Sequence, residues 1–163
     1  MPDAGARQEA IEKIRRLPQQ LEELISGLSP QDLTAKTLPN EWTVAQNVHH
    51  FADSHINSYV RCKLMATEEN PTLKPYDEGA WALLSDGSSA DLSDSLALLR
   101  ALHARWVRFW QDLPDDAWQR TGQHPESGPV TLARQLELYV EHGEAHLDQI
   151  RRTLAARKEE PGA

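Results

Sequence analysis

Apolar residues recur every three or four positions in four long stretches of this chain, and nowhere do they alternate convincingly with polar ones. A period near 3.6 belongs to helices buried along one face, alternation to half-buried strands. The contrast points to helix-on-helix packing. In the first stretch Ile11, Ile14, Leu17, Leu21, Leu24, Ile25 and Leu28 keep this spacing while acids and bases fill the other face, which predicts a helix over about Asp3–Ser26. Pro18 falls inside it, where a missing N–H can kink or break a helix. Gly27 and Pro30 end it. One short turn at Pro30–Leu33 is expected in the connection that follows.

Thr43-Val44-Ala45-Gln46 has the form of a capping box, and it opens a second helix that can run to about Glu69, where Asn70-Pro71 stops it. Val44, Val48, Phe51, His55, Tyr59 and Cys62 share one face of that helix. Beside them runs a polar stripe of Thr43, Asn47, His50, Ser54, Asn57 and Arg61, which is either a pocket wall or a solvated edge. From Asn70 to Ala90 the pattern is lost, and a long connection inside a small domain is often functional. Tyr76 and Trp81, within it, are large enough to cover a cavity mouth, or simply to anchor the loop.

The third helix is expected over about Ser93–Asp112, with Leu92, Leu96, Leu99, His103, Trp106, Trp110 and Leu113 spaced as a bundle seam. Trp118–Pro129 carries the breakers Gly122, Pro125, Gly128 and Pro129 and is expected to be irregular. Thr131 caps the last helix, which runs to about Lys158 before a polar tail. The sum is one domain over residues 1–163, an all-α four-helix bundle with long connections, so that simple up-down-up-down order is not assured.

A net charge of −8 argues against nucleic acid, since a phosphate-binding face wants a basic excess. No apolar run approaches the roughly 20 residues of a membrane span, and Met1–Glu9 lacks the charged-then-apolar make-up of a leader. Cys62 is the only cysteine, which rules out an intrachain disulfide and fits a reducing compartment. The expectation is a soluble cytoplasmic protein that acts on a small molecule, with neither nucleic acid nor membrane as partner.

The chemistry-bearing pair is His142 and His146. Two histidines four apart project from one helix face, one turn above the other, and can reach a single ion at about 2.0–2.1 Å. A third ligand would come from Asn47-Val48-His49-His50. The zinc-protease pattern H-E-x-x-H is excluded, because Gly143 stands where its glutamate must be and Glu144 points to the far side of the helix. His55 and His103 sit in apolar seams and are expected to be satisfied core histidines. His124 falls on a loop, as a surface residue or the edge of a site. Cys62 shares the core face with Val44 and Phe51, the setting of an inert thiol. No Ser-His-Asp arrangement, phosphate-cradling glycine loop or dinucleotide fingerprint is present.

Trp42-Thr43-Val44, then His50 eight residues after the tryptophan, then His142-x-x-x-His146, resembles the DinB-like superfamily. The stretch HHFADSHINSYVRCKLMATEENPTLKPYDEGAW, with Leu102-His103-x-Arg105-Trp106, His124-Pro125-Glu126 and HGEAHLDQI, looks like its YfiT branch. The resemblance covers roughly residues 10 to 155. It implies a four-helix bundle of up-down-down-up topology with a divalent ion, zinc or nickel, held by the residues matching His50, His142 and His146. His49, adjacent to His50 but about 100° away on the helix, is the competing third ligand. The branch includes proteins provisionally assigned as metal-dependent hydrolases and the bacillithiol S-transferases, and dimers are plausible in it.

Three neutral imidazoles leave an open position on the ion, as catalytic sites do. Such an ion can acidify water for hydrolysis or a thiol for transfer. Asp53, Glu141 and Glu144 lie near the ligands in sequence, yet spacing places none of them on the metal face. Without an evident base, transfer of a low-molecular-weight thiol such as bacillithiol asks less of the protein than hydrolysis does. Asn47, Asn57, Arg61, Tyr76, Trp81 and Gln135 are the candidate substrate contacts. A non-catalytic metal-binding or stress-response bundle is the competing class.

Overall fold

The computed structural model describes residues 3–158 and is built on four long helices, α1 (Ala4–Ile25), α3 (Val44–Thr67), α5 (Ser93–Gln111) and α6 (Leu132–Lys158). Two single-turn helices, α2 (Pro30–Thr34) and α4 (Glu78–Ala82), lie in the connections. The polar tail beyond Lys158 falls outside the described residues.

The helix starts follow from local chemistry. Asp3 caps α1 by accepting from Ala6 N–H. At α3 the capping box forms in full: Thr43 Oγ1 accepts from Gln46 N–H at 3.1 Å, and Gln46 Oε1 accepts from Thr43 N–H at 3.0 Å. Thr131 Oγ1 accepts from Arg134 N–H in the first turn of α6. Pro18 does not end α1, which continues through it to Ile25.

Cross-helix pairs fix the directions. Arg100 meets Glu22, and Arg7 meets Asp115 just beyond α5, so α1 and α5 run antiparallel. His49 meets Ser95 and His55 meets His103, so α3 and α5 run parallel. Asn47 meets His146 and Ser58 meets Gln135, so α6 runs antiparallel to α3. The order is up-down-down-up. Both α1 and α3 pack against α5 and α6, leaving α1 and α3 on a diagonal. A parallel α3 and α5 oblige the chain between them to return along a helix of about 36 Å. Residues 68–92 make that return, which is why this connection is long.

One element departs from the expectation of irregular chain at 118–129. After a 3-10 turn at Asp115–Gln119, β1 (Thr121–His124) and β2 (Gly128–Thr131) form an antiparallel hairpin. The returning segment joins it, with Leu73 N–H donating to Gln123 C=O and Gln123 N–H to Pro71 C=O, both at 2.8 Å. Gly122 permits this, because a Cβ there would lie 2.8 Å from Leu73 Cδ2. Arg120 adds a clamp by donating to the carbonyls of Met65 and Glu68 at the end of α3.

The core falls into two clusters. Trp106, Trp110, Met65, Cys62, Leu136 and their neighbours fill the end nearer the hairpin. Leu21, Val44, Val48, Phe51, Leu99 and Ile150 fill the other. Gly143 sets the approach of α6 to α1, since a Cβ there would stand 3.2 and 3.3 Å from the two Leu17 methyl carbons. The protease glutamate placed here would meet α1 rather than the histidines. Gly143→Glu is expected to lower unfolding stability by about 1–3 kcal/mol through overpacking, measured by urea denaturation. An unchanged midpoint would show that Leu17 yields freely.

Candidate metal centre

α3 and α6 bring His50, His142 and His146 together from opposite directions, with one ring nitrogen from each lying within 4.8 Å of the others. His50 Nε2 and His142 Nε2 face each other at 3.0 Å. The other nitrogens of the α6 pair are engaged behind the cluster. His146 Nδ1–H donates to Asn47 Oδ1 at 2.9 Å, and Asn47 is held in place by donating its own amide to Thr43 C=O. His142 Nδ1 lies 3.3 Å from His55 Nε2. Hydrogen bonds at the rear nitrogens turn the Nε2 lone pairs toward a common point, as metal-binding imidazoles require. Trp42 stacks on His146 and tilts over His50, while the edge of Phe51 closes the floor.

The rest of the polar set sorts by position. Asn47 is fully buried behind His146, so it supports a histidine rather than facing a substrate. Asn57 donates to Asp53 C=O one turn back on its own helix. Arg61 and Gln135 line a cavity of about 430 Å³ that has His142 and Ser54 in its wall, with Leu73, Val130 and Leu138 as its apolar part. Arg61 also donates to Lys74 C=O in the returning segment, and Gln135 to Ser58 Oγ. Tyr76 packs on Trp81 with ring centroids 4.5 Å apart, and burial beside Ser54 and Tyr139 pushes its hydroxyl pKa up.

His49 turns away from the cluster. Its Nε2–H donates to Ser89 C=O at 2.9 Å, and its Nδ1 lies 2.7 Å from Ser95 Oγ. His124 sits on β1 at the rim of the cavity, where its Nδ1 accepts from the backbone N–H groups of Glu126 and Ser127. Cys62 is wholly buried, and burial pushes its thiol up to about 12. Glu144 pairs with Lys13 on the outer surface, and Glu141 with Arg134. The polar cavity residues Tyr139, whose hydroxyl meets Ser54, and Glu78 were among those the sequence pattern did not mark. Tyr139 looked like ordinary core spacing, and Glu78 lay in a stretch with no period at all.

Burial holds the three histidines neutral. It lowers His50 to about 3, aided by the charge of His146. It puts His142 well below its ordinary value, and lowers His146 as well. Protons compete with a metal only where the ligand pKa is above the pH. The loss of zinc or nickel affinity on acidification is therefore expected to set in at lower pH than for exposed histidines of ordinary pKa near 6.5. Competition with a chromophoric chelator measures this; a steep loss below pH 7 would mean exposed, ordinary imidazoles. The donor set suits a divalent transition ion, being neutral and nitrogen-only, with two of its three rings oriented by bonds at the rear.

Comparison with known proteins finds relatives over most of the chain. The model of the DinB superfamily matches residues 13–150. A protein of Oceanobacillus iheyensis, provisionally named a metal-dependent hydrolase, is 42% identical over 142 residues, 87% of this chain and 82% of that one. YfiT of Bacillus subtilis, named in the same provisional terms, is 42% identical over 141 residues, covering 86% and 79% of the two chains. The solved structure of that YfiT, described as having an unusual four-helix bundle topology, superposes with a TM-score of 0.93 at 37% identity, over 98% of this chain and 92% of that one.

Proposed function

This chain belongs to the DinB superfamily, and from that premise we propose that it is a metal-dependent enzyme whose ion is held by His50, His142 and His146 and which transfers a low-molecular-weight thiol, of the bacillithiol type, to an electrophile. The observation that carries the reading is what surrounds the ligand nitrogens. Ser54, His55 and Asn47 make the polar contacts there, and among the described residues no carboxylate hydrogen-bonds to the three rings. When bound, a divalent ion supplies Lewis acidity that lowers the pKa of a thiol or of water. A thiol, with an ordinary pKa near 8.5, is far more acidic than water and would ask less of a protein base. Cys62 is too buried to be that thiol, so it comes with the substrate. The chain's own residues then hold and orient: Arg61 offers charge to an anionic group on either reactant, and the apolar wall takes the electrophile.

Hydrolysis is the second reading, and Glu78 favours it. Its carboxyl lines the same cavity, and desolvation raises its pKa, the direction that makes a carboxylate a stronger base. Thiol dependence separates the two. Zinc- or nickel-loaded protein is expected to consume chlorodinitrobenzene or monochlorobimane faster only when a thiol is added. Turnover of esters or amides without thiol would move the assignment to hydrolase, and neither activity would leave a non-catalytic metal-binding bundle.

A further inference from the structure

Behind the metal centre, two buried histidines join His142 to an oxygen that α1 leaves free. Pro18 has no N–H, so the carbonyl of Ile14, four residues earlier, lacks its helical donor. His103 on α5 fills the gap: its Nδ1 lies 2.6 Å from Ile14 O. A carbonyl can only accept, so the proton is on His103 Nδ1. In the neutral ring that leaves a lone pair on Nε2, which lies 2.8 Å from His55 Nδ1. His55 must then carry its proton on Nδ1 and a lone pair on Nε2. That lone pair faces His142 Nδ1 at 3.3 Å, so His142 is protonated there and bare at Nε2.

We propose that His103 and His55 are positioning residues for His142, transmitting the direction of one hydrogen bond from the Ile14 carbonyl so that the Nε2 lone pair of His142 faces the metal centre. The proposal rests on the reading of His142 as a ligand. The chain has one possible polarity, because its far end has no proton to give. For the same reason it is a dead end for protons and does not shuttle them to solvent. His55 is wholly buried and His103 nearly so, and Trp106 sets its edge against both rings. These contacts fix the His55 and His103 rings, which lie 19° apart, while His142 is tilted by 52° to His55. They also account for imidazoles at two positions where leucine would pack without needing partners.

Long-range proton–nitrogen NMR of the metal-free protein reads each ring's tautomer directly. His55, His103 and His142 are all expected as Nδ1–H forms. An Nε2–H form at any of the three would overturn the proposal without reference to metal. The second arm is zinc and nickel affinity in His103→Phe, which removes the acceptor facing His55, and in His103→Gln, which keeps an amide oxygen there. Loss of an outer partner to a metal ligand costs roughly 10–100-fold in affinity. His103 stands one bond further out, so a loss toward the lower end of that range is expected in His103→Phe, together with mixed tautomers at His142, and recovery toward wild type in His103→Gln. Wild-type affinity in a folded His103→Phe would overturn the proposal. A wild type that binds no metal would instead end the metal reading, while the tautomer measurement would still decide the hydrogen-bond chain.

Discussion

His142→Ala is expected to remove the bound ion, from close to one zinc or nickel per chain to background by elemental analysis. His142 is the central member of the triad: its Nε2 meets that of His50, its ring lies 4.4 Å from that of His146 by centroids, and Ser54 Oγ stands 3.3 Å from the same nitrogen. Loss of a ligand should cost more than the roughly 10–100-fold typical of an outer partner. Metal-linked stabilisation should vanish with it, which is about 2.7 kcal/mol for the wild type when free metal is a hundredfold above Kd. His49→Ala is the control, because its ring is turned to Ser89 and Ser95 and its loss should leave stoichiometry intact. Metal retained in His142→Ala and lost in His49→Ala would place the centre on the other face of α3.

The largest stability effect is expected at Trp106. It is completely buried, tilts against Trp110, and sets its edge against Tyr139, His55 and His103. Trp106→Ala should cost about 3–5 kcal/mol through lost burial and the cavity left behind, a large share of the 5–15 kcal/mol typical of domains. Its indole N–H has no hydrogen-bond partner among the described residues. Trp106→Phe, which keeps an aromatic ring and removes that desolvated group, should therefore cost only about 1–2 kcal/mol. Guanidinium unfolding distinguishes these cases, provided the slope stays constant. Equal losses in the two variants would mean that the N–H is satisfied after all.

The long helices were legible because their information is local: Ile11 to Leu28 repeats at helical spacing, and Thr43 with Gln46 marks a start whatever lies around it. Between His49 and His50 the helix angle of about 100° says only that one of them can face α6; His50 was preferred through the resemblance and its place on the polar stripe, and the docking of α6 is what brings it beside His142. The hairpin was not legible. Its strands are four residues long, too short for a period to show, and Gly122 and Pro129 read as breakers although Gly122 is there to let Leu73 approach. Asn47 lay on a polar stripe that could have faced a substrate, and only the docking of α6 turns it toward His146. His55 and His103 read as satisfied core residues, and so they are. What satisfies them, each other and a carbonyl released by Pro18 on a third helix, is a relation among three segments that no spacing within one could reveal.

The diagonal placement of α1 and α3 has a consequence for the time at which the protein becomes competent. His50 and His142 are separated by 92 positions, and α6 follows α1, α3 and α5 in the chain. Until the stretch of α6 carrying His142 and His146 has left the ribosome and docked between α1 and α3, the α3 half of the site holds one histidine of the three. A chain arrested before residue 142 can form α1, α3 and α5, but it offers a passing ion a single imidazole. On this reading, metal capture waits for α6. Nascent chains stalled before and after α6 should differ in zinc retention as sharply as mutant and wild type do.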